Sequence, residues 1–147
     1  MILADAQATH VAGRALAAAL QPGDVIALSG DLGAGKSSLA RGLLEGLGFA
    51  GEVPSPSFAL VIPYAPPEVA IPVWHVDLYR LDTPEEADAL ALDEALDDGV
   101  LVIEWPERLG ARLWPEALRV RLEFDANGGR RLTVSVPPSW EGRCPLQ

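Results

Sequence analysis

The hydrophobic positions of the chain form helical stripes and short continuous runs, in the order expected of an α/β domain. Residues 8–20 carry apolar side chains at helical spacing, and the stripe ends at Pro22-Gly23. A second stripe over 36–47 ends at Gly48, a residue that favours the left-handed stop of a helix. Three continuously apolar runs are typical of strands buried on both faces of a parallel sheet: Val25–Leu28, Val73–Val76 and Val100–Ile103.

The remaining segments predict a mixed, largely parallel sheet that ends in a hairpin. We expect a further strand over Phe58–Ile62 and a proline-rich connection over 63–72. Between 82 and 98 the chain has eight acidic residues and no basic one, with leucines interleaved. That pattern predicts helices with a solvated acidic face. Two alternating runs around an Asn-Gly-Gly turn predict the C-terminal β-hairpin: Leu118–Phe124 and Arg131–Val136.

Composition and charge limit the class of protein. The chain has 147 residues, 49% of them hydrophobic, which fits one globular domain; we expect it over 1–136, with a flexible tail over 137–147. The net charge of −10 disfavours unaided binding to nucleic acid or to an anionic membrane. The single cysteine, Cys144, cannot form an internal disulfide. With no visible signal peptide and no apolar stretch of about 18 residues, a cytoplasmic protein is expected.

A phosphate-binding motif follows the first apolar run: Gly30-Asp31-Leu32-Gly33-Ala34-Gly35-Lys36-Ser37. The glycines let the backbone N–H groups point at phosphate oxygens, and the following helix adds its positive N-terminal end. Lys36 is the one lysine among 11 Lys and Arg residues, and a compact ammonium suits contact with the terminal phosphates. The Ser37 hydroxyl can bind Mg²⁺. This order of strand, loop and helix favours a nucleotide site over an accidental glycine-rich turn.

The base and the metal are constrained by other residues. The guanine-reading motif of GTPases needs a second lysine, so adenine is expected. A phosphate loop also needs an acid to hold Mg²⁺ at the end of a neighbouring strand. Asp77 and Glu104 follow two of the apolar runs, and the carboxyl ends of parallel strands lie at one rim of an open sheet. One acid can hold Mg²⁺ while the other positions the attacking water, although either can instead be a helix cap or an ion-pair partner.

A histidine and a tryptophan near these acids each have two interpretations, and a serine-containing loop adds a further candidate. His75, between apolar neighbours on a strand, is either catalytic or a structural histidine, and the structural interpretation is the more common one. Trp105 either covers the site or belongs to the core. Ser55-Pro56-Ser57 offers hydroxyls on a constrained loop that could sense a terminal phosphate.

Four segments together resemble the TsaE family (formerly YjeE), small bacterial ATPases required for threonylcarbamoyladenosine formation in tRNA. Besides the phosphate loop, they are Ser55-Pro56-Ser57-Phe58, His75-Val76-Asp77-Leu78-Tyr79-Arg80 and Val102-Ile103-Glu104-Trp105-Pro106. The last two are specific to the family, whereas the phosphate loop alone is generic. Ser57 and Ser37 stand where the family often has threonine. That change keeps each hydroxyl, and the family's usual pattern is weak around 91–95.

The resemblance implies a single α/β P-loop NTPase domain that uses ATP and Mg²⁺. Lys36, Asp77 and Glu104 would be catalytic, and the magnesium ligands would be Ser37, Asp77 and Glu104. The nucleotide contacts implied are Thr9, Asp31, Leu32, Gly33, Ala34, Gly35, Lys36, Ser37, Ser38, Ser57, Trp105 and Arg130.

The implied partners are TsaB and TsaD, the latter transferring threonylcarbamoyl to adenosine 37 of tRNA. We therefore expect an ATPase, slow without its partners, that reaches tRNA only through them. Two alternatives stay open: a small-molecule kinase with an arginine-bearing lid, for which Arg108 and Arg112 are the nearest candidates, and a nucleotide-dependent binding module with negligible turnover.

Overall fold

The computed structural model describes residues 1–31, 33–56 and 60–146. Within these residues, seven strands form one mixed sheet in the order β1-β7-β6-β2-β5-β4-β3. The four central strands β6, β2, β5 and β4 are parallel, and antiparallel strands close both edges. This sheet confirms the predicted α/β class. The strands are β1 Ile2–Leu3, β2 Val25–Gly30, β3 Val61–Tyr64, β4 Val73–Asp77, β5 Val100–Glu104, β6 Leu118–Phe124 and β7 Arg130–Ser135.

Two α-helices cover one face of the sheet. Helix α1 spans Ala6–Ala17 and α2 spans Lys36–Gly46. Asp5 caps α1 by accepting a hydrogen bond from the Ala8 backbone N–H at 2.8 Å. The two helices share the larger apolar core with the inner side chains of the central strands. No helix in the described part of the chain is both long enough and apolar enough to cross a membrane.

The opposite face is covered by short 3₁₀ helices at Pro84–Leu90, Leu92–Asp97 and Pro106–Arg112. They bury Ala87, Leu92 and Leu109 against a second apolar cluster on the sheet. The eight acidic residues of 82–98 are exposed as predicted. The helices predicted in this region are present in 3₁₀ form, and Ala91, with φ 49°, separates the first two.

Both edges of the sheet add detail that the hydrophobic pattern lacks. The predicted hairpin is present as β6 and β7, and β1 extends it by pairing with β7. The strand expected over Phe58–Ile62 is corrected: β3 spans Val61–Tyr64, reaching into the expected connection, and Leu60 before it has a left-handed φ of 66°. Phe58 and Ala59 lie outside the described residues.

Residues 137–146 pack against the domain, which corrects the expectation of a flexible tail. Trp140 is 0% exposed and Leu146 2% exposed, and both belong to the larger core. Arg143 donates two hydrogen bonds to the Asp24 carboxylate, at 2.9 and 2.6 Å, and one to the Ala19 carbonyl at 2.7 Å. The segment therefore contributes both apolar burial and a bidentate ion pair.

Candidate functional site

The phosphate loop connects the end of β2 to the start of α2. Gly30 has φ 130°, and a Cβ there would lie 1.9 Å from the Leu122 carbonyl oxygen, so only glycine fits between the loop and β6. Ala34 is fully buried, and its N–H donates to the Asp31 carbonyl at 3.0 Å. Leu32, also predicted to contact nucleotide, lies outside the described residues. The loop leads the chain directly into the N-terminus of α2, where backbone N–H groups favour an anion.

Lys36 is the first residue of α2, and its ammonium is held between the loop and an aromatic ring. Its Nζ donates to the Gly30 carbonyl at 2.8 Å and lies 3.9 Å from the centroid of the Trp105 ring. Burial lowers the pKa of Lys36, while the nearby carboxylates, Glu104 foremost, oppose that shift. Glu107 is one of these carboxylates, although the sequence did not single it out.

A cleft of about 340 Å³ opens beside this lysine. The loop and the first turn of α2 supply Gly33, Gly35, Lys36, Ser37 and Ser38. Asp77 and Glu104 come from the ends of β4 and β5, Trp105 follows directly, and Ser55 also lines the cleft. Larger clefts occur elsewhere, but this one combines the loop, the lysine and two strand-end acids. Size alone therefore does not identify the site.

The two acids are brought together by strand register. Asp77 and Glu104 are paired positions of the parallel strands β4 and β5, so the predicted common rim is present. Both residues are buried, at 6% and 4% exposure. Asp77 Oδ1 accepts a hydrogen bond from the Tyr79 N–H at 2.9 Å. Buried carboxylates at this rim need a compensating charge or donors. The Lys36 ammonium and the Tyr79 N–H are two of those present.

His75 also belongs to the site. Its Nε2 lies 2.7 Å from Glu104 Oε2, and the two side chains are only 2% and 6% exposed. The other ring nitrogen, Nδ1, is buried with no hydrogen-bond partner among the described residues. The sequence left His75 open between a catalytic and a structural role. One signal that could have found the contact is the spacing of His75 and Asp77, since positions two apart on a strand share a face.

Thr9 and Arg130 lie around the loop. Thr9 is 1% exposed and donates its hydroxyl to the Asp5 carbonyl at 3.3 Å. Its methyl carbon lies 3.4 Å from the position of a Cβ on Gly35, so it supports the loop from behind. The Arg130 guanidinium stacks 4.4 Å from the centroid of the Phe124 ring. Ser57 lies outside the described residues.

Trp105 is half-buried at the rim of the cleft. The sequence left open whether it covers the site or belongs to the core, and its position has features of both. Its backbone is left-handed, with φ 59° and ψ 51°, which turns the chain immediately after Glu104. The ring packs 5.0 Å from that of Tyr79 while its face meets the Lys36 ammonium. It therefore lines the cleft and also partly shields the lysine from water.

The oxygen atoms at this rim fit a hard divalent cation. No group of three or more His, Cys, Asp or Glu side chains suited to a metal ion occurs in residues 1–31, 33–56 and 60–146. Magnesium does not need such a cage, because it typically takes one or two carboxylates and completes its shell with water and phosphate oxygens. Ser37, Asp77 and Glu104 provide that kind of partial set.

The strand, glycine loop and helix, with acids at the ends of adjacent parallel strands, define a P-loop α/β domain. The model of one family, described as "Threonylcarbamoyl adenosine biosynthesis protein TsaE", matches residues 3–132. The chain belongs to the TsaE family.

Individual relatives agree with this assignment. The chain is 45% identical over 112 residues to the TsaE protein of Streptomyces coelicolor, covering 76% of each chain. It is 38% identical to the TsaE protein of Rickettsia felis over 145 residues, covering 96% of this chain and 81% of that one. The crystal structure of Bacillus subtilis YdiB is similar with a TM-score of 0.79 at 30% identity, over 92% of this chain and 83% of that chain. The curated relatives are named as tRNA threonylcarbamoyladenosine biosynthesis proteins.

Proposed function

We propose that the protein binds ATP with Mg²⁺ in the P-loop cleft and hydrolyses it. The hydrolysis would drive or reset a TsaB–TsaD assembly that modifies adenosine 37 of tRNA. The observation that carries the proposal is the meeting of Lys36, Asp77 and Glu104 in one cleft at the mouth of the loop. The family's role in threonylcarbamoyladenosine biosynthesis supplies the pathway.

The loop and α2 would bind the phosphates. Backbone N–H groups at the start of α2 and the ammonium of Lys36 favour an anion there. Lys36 at present bonds to the Gly30 carbonyl at 2.8 Å, and a terminal phosphate oxygen would replace that carbonyl as its partner. An ammonium-to-phosphate contact of this charge-assisted kind is worth about 1.5–3 kcal/mol.

The charge balance of the cleft supports a requirement for magnesium. Four carboxylates act on Lys36, namely Glu104, Glu107, Asp77 and Asp31. An uncomplexed polyphosphate would meet that negative charge with one nearby ammonium. The Ser37 hydroxyl and the carboxylates of Asp77 and Glu104 would hold the cation, which when bound neutralises phosphate charge and polarises the transferred group. The second role for the acids is to orient the attacking water.

Adenine is the favoured base and partner proteins are the favoured route to tRNA. Recognition of guanine through the GTPase motif requires a lysine besides Lys36, and the sequence has none. A net charge of −10 and the exposed acids of 82–98 oppose direct contact with a polyanion. We therefore expect the protein to act on the TsaB–TsaD complex and not on tRNA itself.

The kinase alternative is less well supported. Its candidate lid residue Arg112 forms hydrogen bonds with Asp88, at 2.9 and 3.3 Å, on the 3₁₀ face of the domain. Arg108 lies 5.8 Å from the centroid of the Tyr79 ring, which packs against Trp105 at the cleft. A kinase would transfer phosphate to a metabolite, and product analysis with ATP distinguishes that from hydrolysis.

The test is complementation of a strain that lacks the protein, with tRNA threonylcarbamoyladenosine measured by mass spectrometry. Lys36→Ala should fail to restore the modification, since the loss of a charge-assisted contact lowers nucleotide affinity by about 10–100-fold. Arg41→Ala, an exposed substitution on the same helix, is the matched control. Full modification with Lys36→Ala would refute an ATP-dependent role. Full modification by a Glu104→Gln variant that has lost hydrolysis would instead favour the nucleotide-dependent binding module.

A further inference from the structure

We propose that His75 is a positioning residue, which holds the Glu104 carboxylate in the orientation that hydrolysis requires. This inference rests on the proposed function and deepens it. It starts from a short buried contact between adjacent strands: His75 Nε2 lies 2.7 Å from Glu104 Oε2, with the side chains 2% and 6% exposed. Such a contact restricts a side chain that otherwise has three rotatable bonds.

The direction of this hydrogen bond follows from the chemistry of the two groups. An ionised carboxylate only accepts, so the proton of the bond belongs to Nε2 of His75. Nδ1 is buried without a partner among the described residues, and burying an unpartnered N–H is unfavourable. A hydrogen on Nε2, where the Glu104 carboxylate accepts it, therefore fits the surroundings. His75 in that form is a fixed donor aimed at Glu104.

The bond also distinguishes the two oxygen atoms of Glu104. Oε2 is the oxygen that contacts His75, so the fixed carboxylate keeps both lone pairs of Oε1 and one of Oε2 for a water molecule or a cation. Asp77, two residues from His75 on β4, is paired with Glu104 in the sheet, so the donor and both acids share one face. Removing the donor would free the Glu104 side chain to rotate. A displacement of about 1 Å of a catalytic group lowers the rate on the order of 10²-fold.

Two substitutions at position 75 separate positioning from packing. His75→Met fills similar space without a donor, whereas His75→Gln carries an amide N–H close to the place of imidazole Nε2. We expect Met to lower kcat for ATP hydrolysis by about 10–100-fold with less than a few-fold change in KM, and Gln to restore most of kcat. Mg²⁺-dependent nucleotide affinity, measured with a fluorescent ATP analogue, should change by no more than the same few-fold in both variants.

The chain contains a matched control for this substitution. His10, the other histidine, also contacts a glutamate, with Nε2 2.9 Å from Glu45 Oε2, but this pair is partly exposed, at 17% and 46%. His10→Met should leave kcat unchanged. If Met and Gln at position 75 give equal activity, whether wild-type or reduced, the positioning role is overturned. Wild-type protein that neither binds nor hydrolyses Mg-ATP would overturn the proposed function first, and this inference with it.

A measurement on the folded protein without nucleotide covers the case in which His75→Met does not fold. The His10→Gln variant leaves His75 as the single imidazole, so its ¹⁵N NMR signals are assigned directly. We expect the Nε2 signal of a hydrogen-bonded N–H, and a shift of that signal after Glu104→Gln. A protonated Nδ1 with a bare Nε2, or an Nε2 signal that ignores the change at Glu104, would overturn the inference.

Discussion

At the scale of single residues, the site depends on how tightly Lys36 is enclosed. Its ammonium fits between the Gly30 carbonyl and the Trp105 ring, at 2.8 Å and 3.9 Å, and the residue is only 5% exposed. Lysine is a compact charge on a flexible stem, whereas arginine is a planar fork with five donors. The enclosure accounts for a lysine at this position in a chain whose other basic residues are all arginines.

Lys36→Arg should therefore impair ATP turnover although it conserves charge. The guanidinium does not fit the space between carbonyl and ring, and it would displace Trp105 or the loop. We expect kcat/KM to fall by about 10-fold or more, the size of one lost charge-assisted contact. Steady-state hydrolysis with Arg41→Lys as the exposed control measures this. Wild-type turnover in Lys36→Arg would contradict it.

The lowered pKa of Lys36 predicts how stability depends on pH. Because burial brings the folded-state pKa below the usual 10.5, the unfolded chain binds more protons between the two values. The contribution of Lys36 to the free energy of unfolding therefore rises as pH increases from the lowered pKa toward 10.5. Below that window the buried charge destabilises the fold.

The measurement is urea denaturation of wild type and Lys36→Met across this pH range. At neutral pH we expect the Lys36→Met variant to have a higher free energy of unfolding than the wild type. The difference between the two should shrink as pH rises. A difference that is constant with pH would show that the folded and unfolded pKa values are the same.

Local motifs predicted some of these residues and could not predict others. Lys36 belongs to a continuous motif, and Asp77 and Glu104 each follow an apolar run, so their place at one rim could be anticipated. The contact of His75 with Glu104 joins residues 29 positions apart, and it depends on the register of two parallel strands. The hydrophobic pattern carries no information on that register, because apolar side chains occupy both faces of each strand.

At the scale of elements, α1 and α2 approach closely because glycines face the neighbouring backbone. A Cβ on Gly42 would lie 2.0 Å from the His10 carbonyl oxygen, and one on Gly13 2.1 Å from that of Leu39. Glycine inside a helix is otherwise unfavourable by about 1 kcal/mol relative to alanine. In these two helices glycine allows close packing despite its low helix propensity. That packing sets the position of α2, and therefore of Lys36 in its first turn.

Gly42→Ala tests this packing. The gain in helix propensity, about 1 kcal/mol, is opposed by overpacking against backbone, which costs about 1–3 kcal/mol. The clash is with a carbonyl that cannot rotate away, so we expect a net loss in the free energy of unfolding. Chemical denaturation measures it, with Arg41→Ala on the exposed side expected to change stability by less than about 0.5 kcal/mol. A more stable Gly42→Ala protein would show that the helices can separate at little cost.

At the scale of the whole molecule, the C-terminal segment completes the core. Trp140 is fully buried, and Arg143 stacks 3.9 Å from its ring while it pairs with Asp24. The segment thus ties the end of the chain to the loop before β2. Residues 137–147 mix polar residues and prolines and show neither a helical nor a strand period. The sequence therefore predicts a flexible segment at this end of the chain.

Truncation after Val136 distinguishes a packed segment from a flexible tail. Loss of one buried Trp typically costs about 3–5 kcal/mol, so truncation should lower the free energy of unfolding by at least that much. Glu141→Gln, at an exposed position in the same segment, should leave stability nearly unchanged. Equal stability of the truncated and full chains would support the flexible tail.

The sequence by itself determined the order of the two α-helices and the central strands, the phosphate loop, the acids at two strand ends and the family. These features depend on spacing along the chain: apolar period, glycine positions and short motifs. Only the tertiary structure decided that His75 holds Glu104, that Thr9 lies behind the loop, and that Trp140 closes the core. Each of those contacts joins segments distant in sequence, and it forms because strand register and core packing bring buried side chains together.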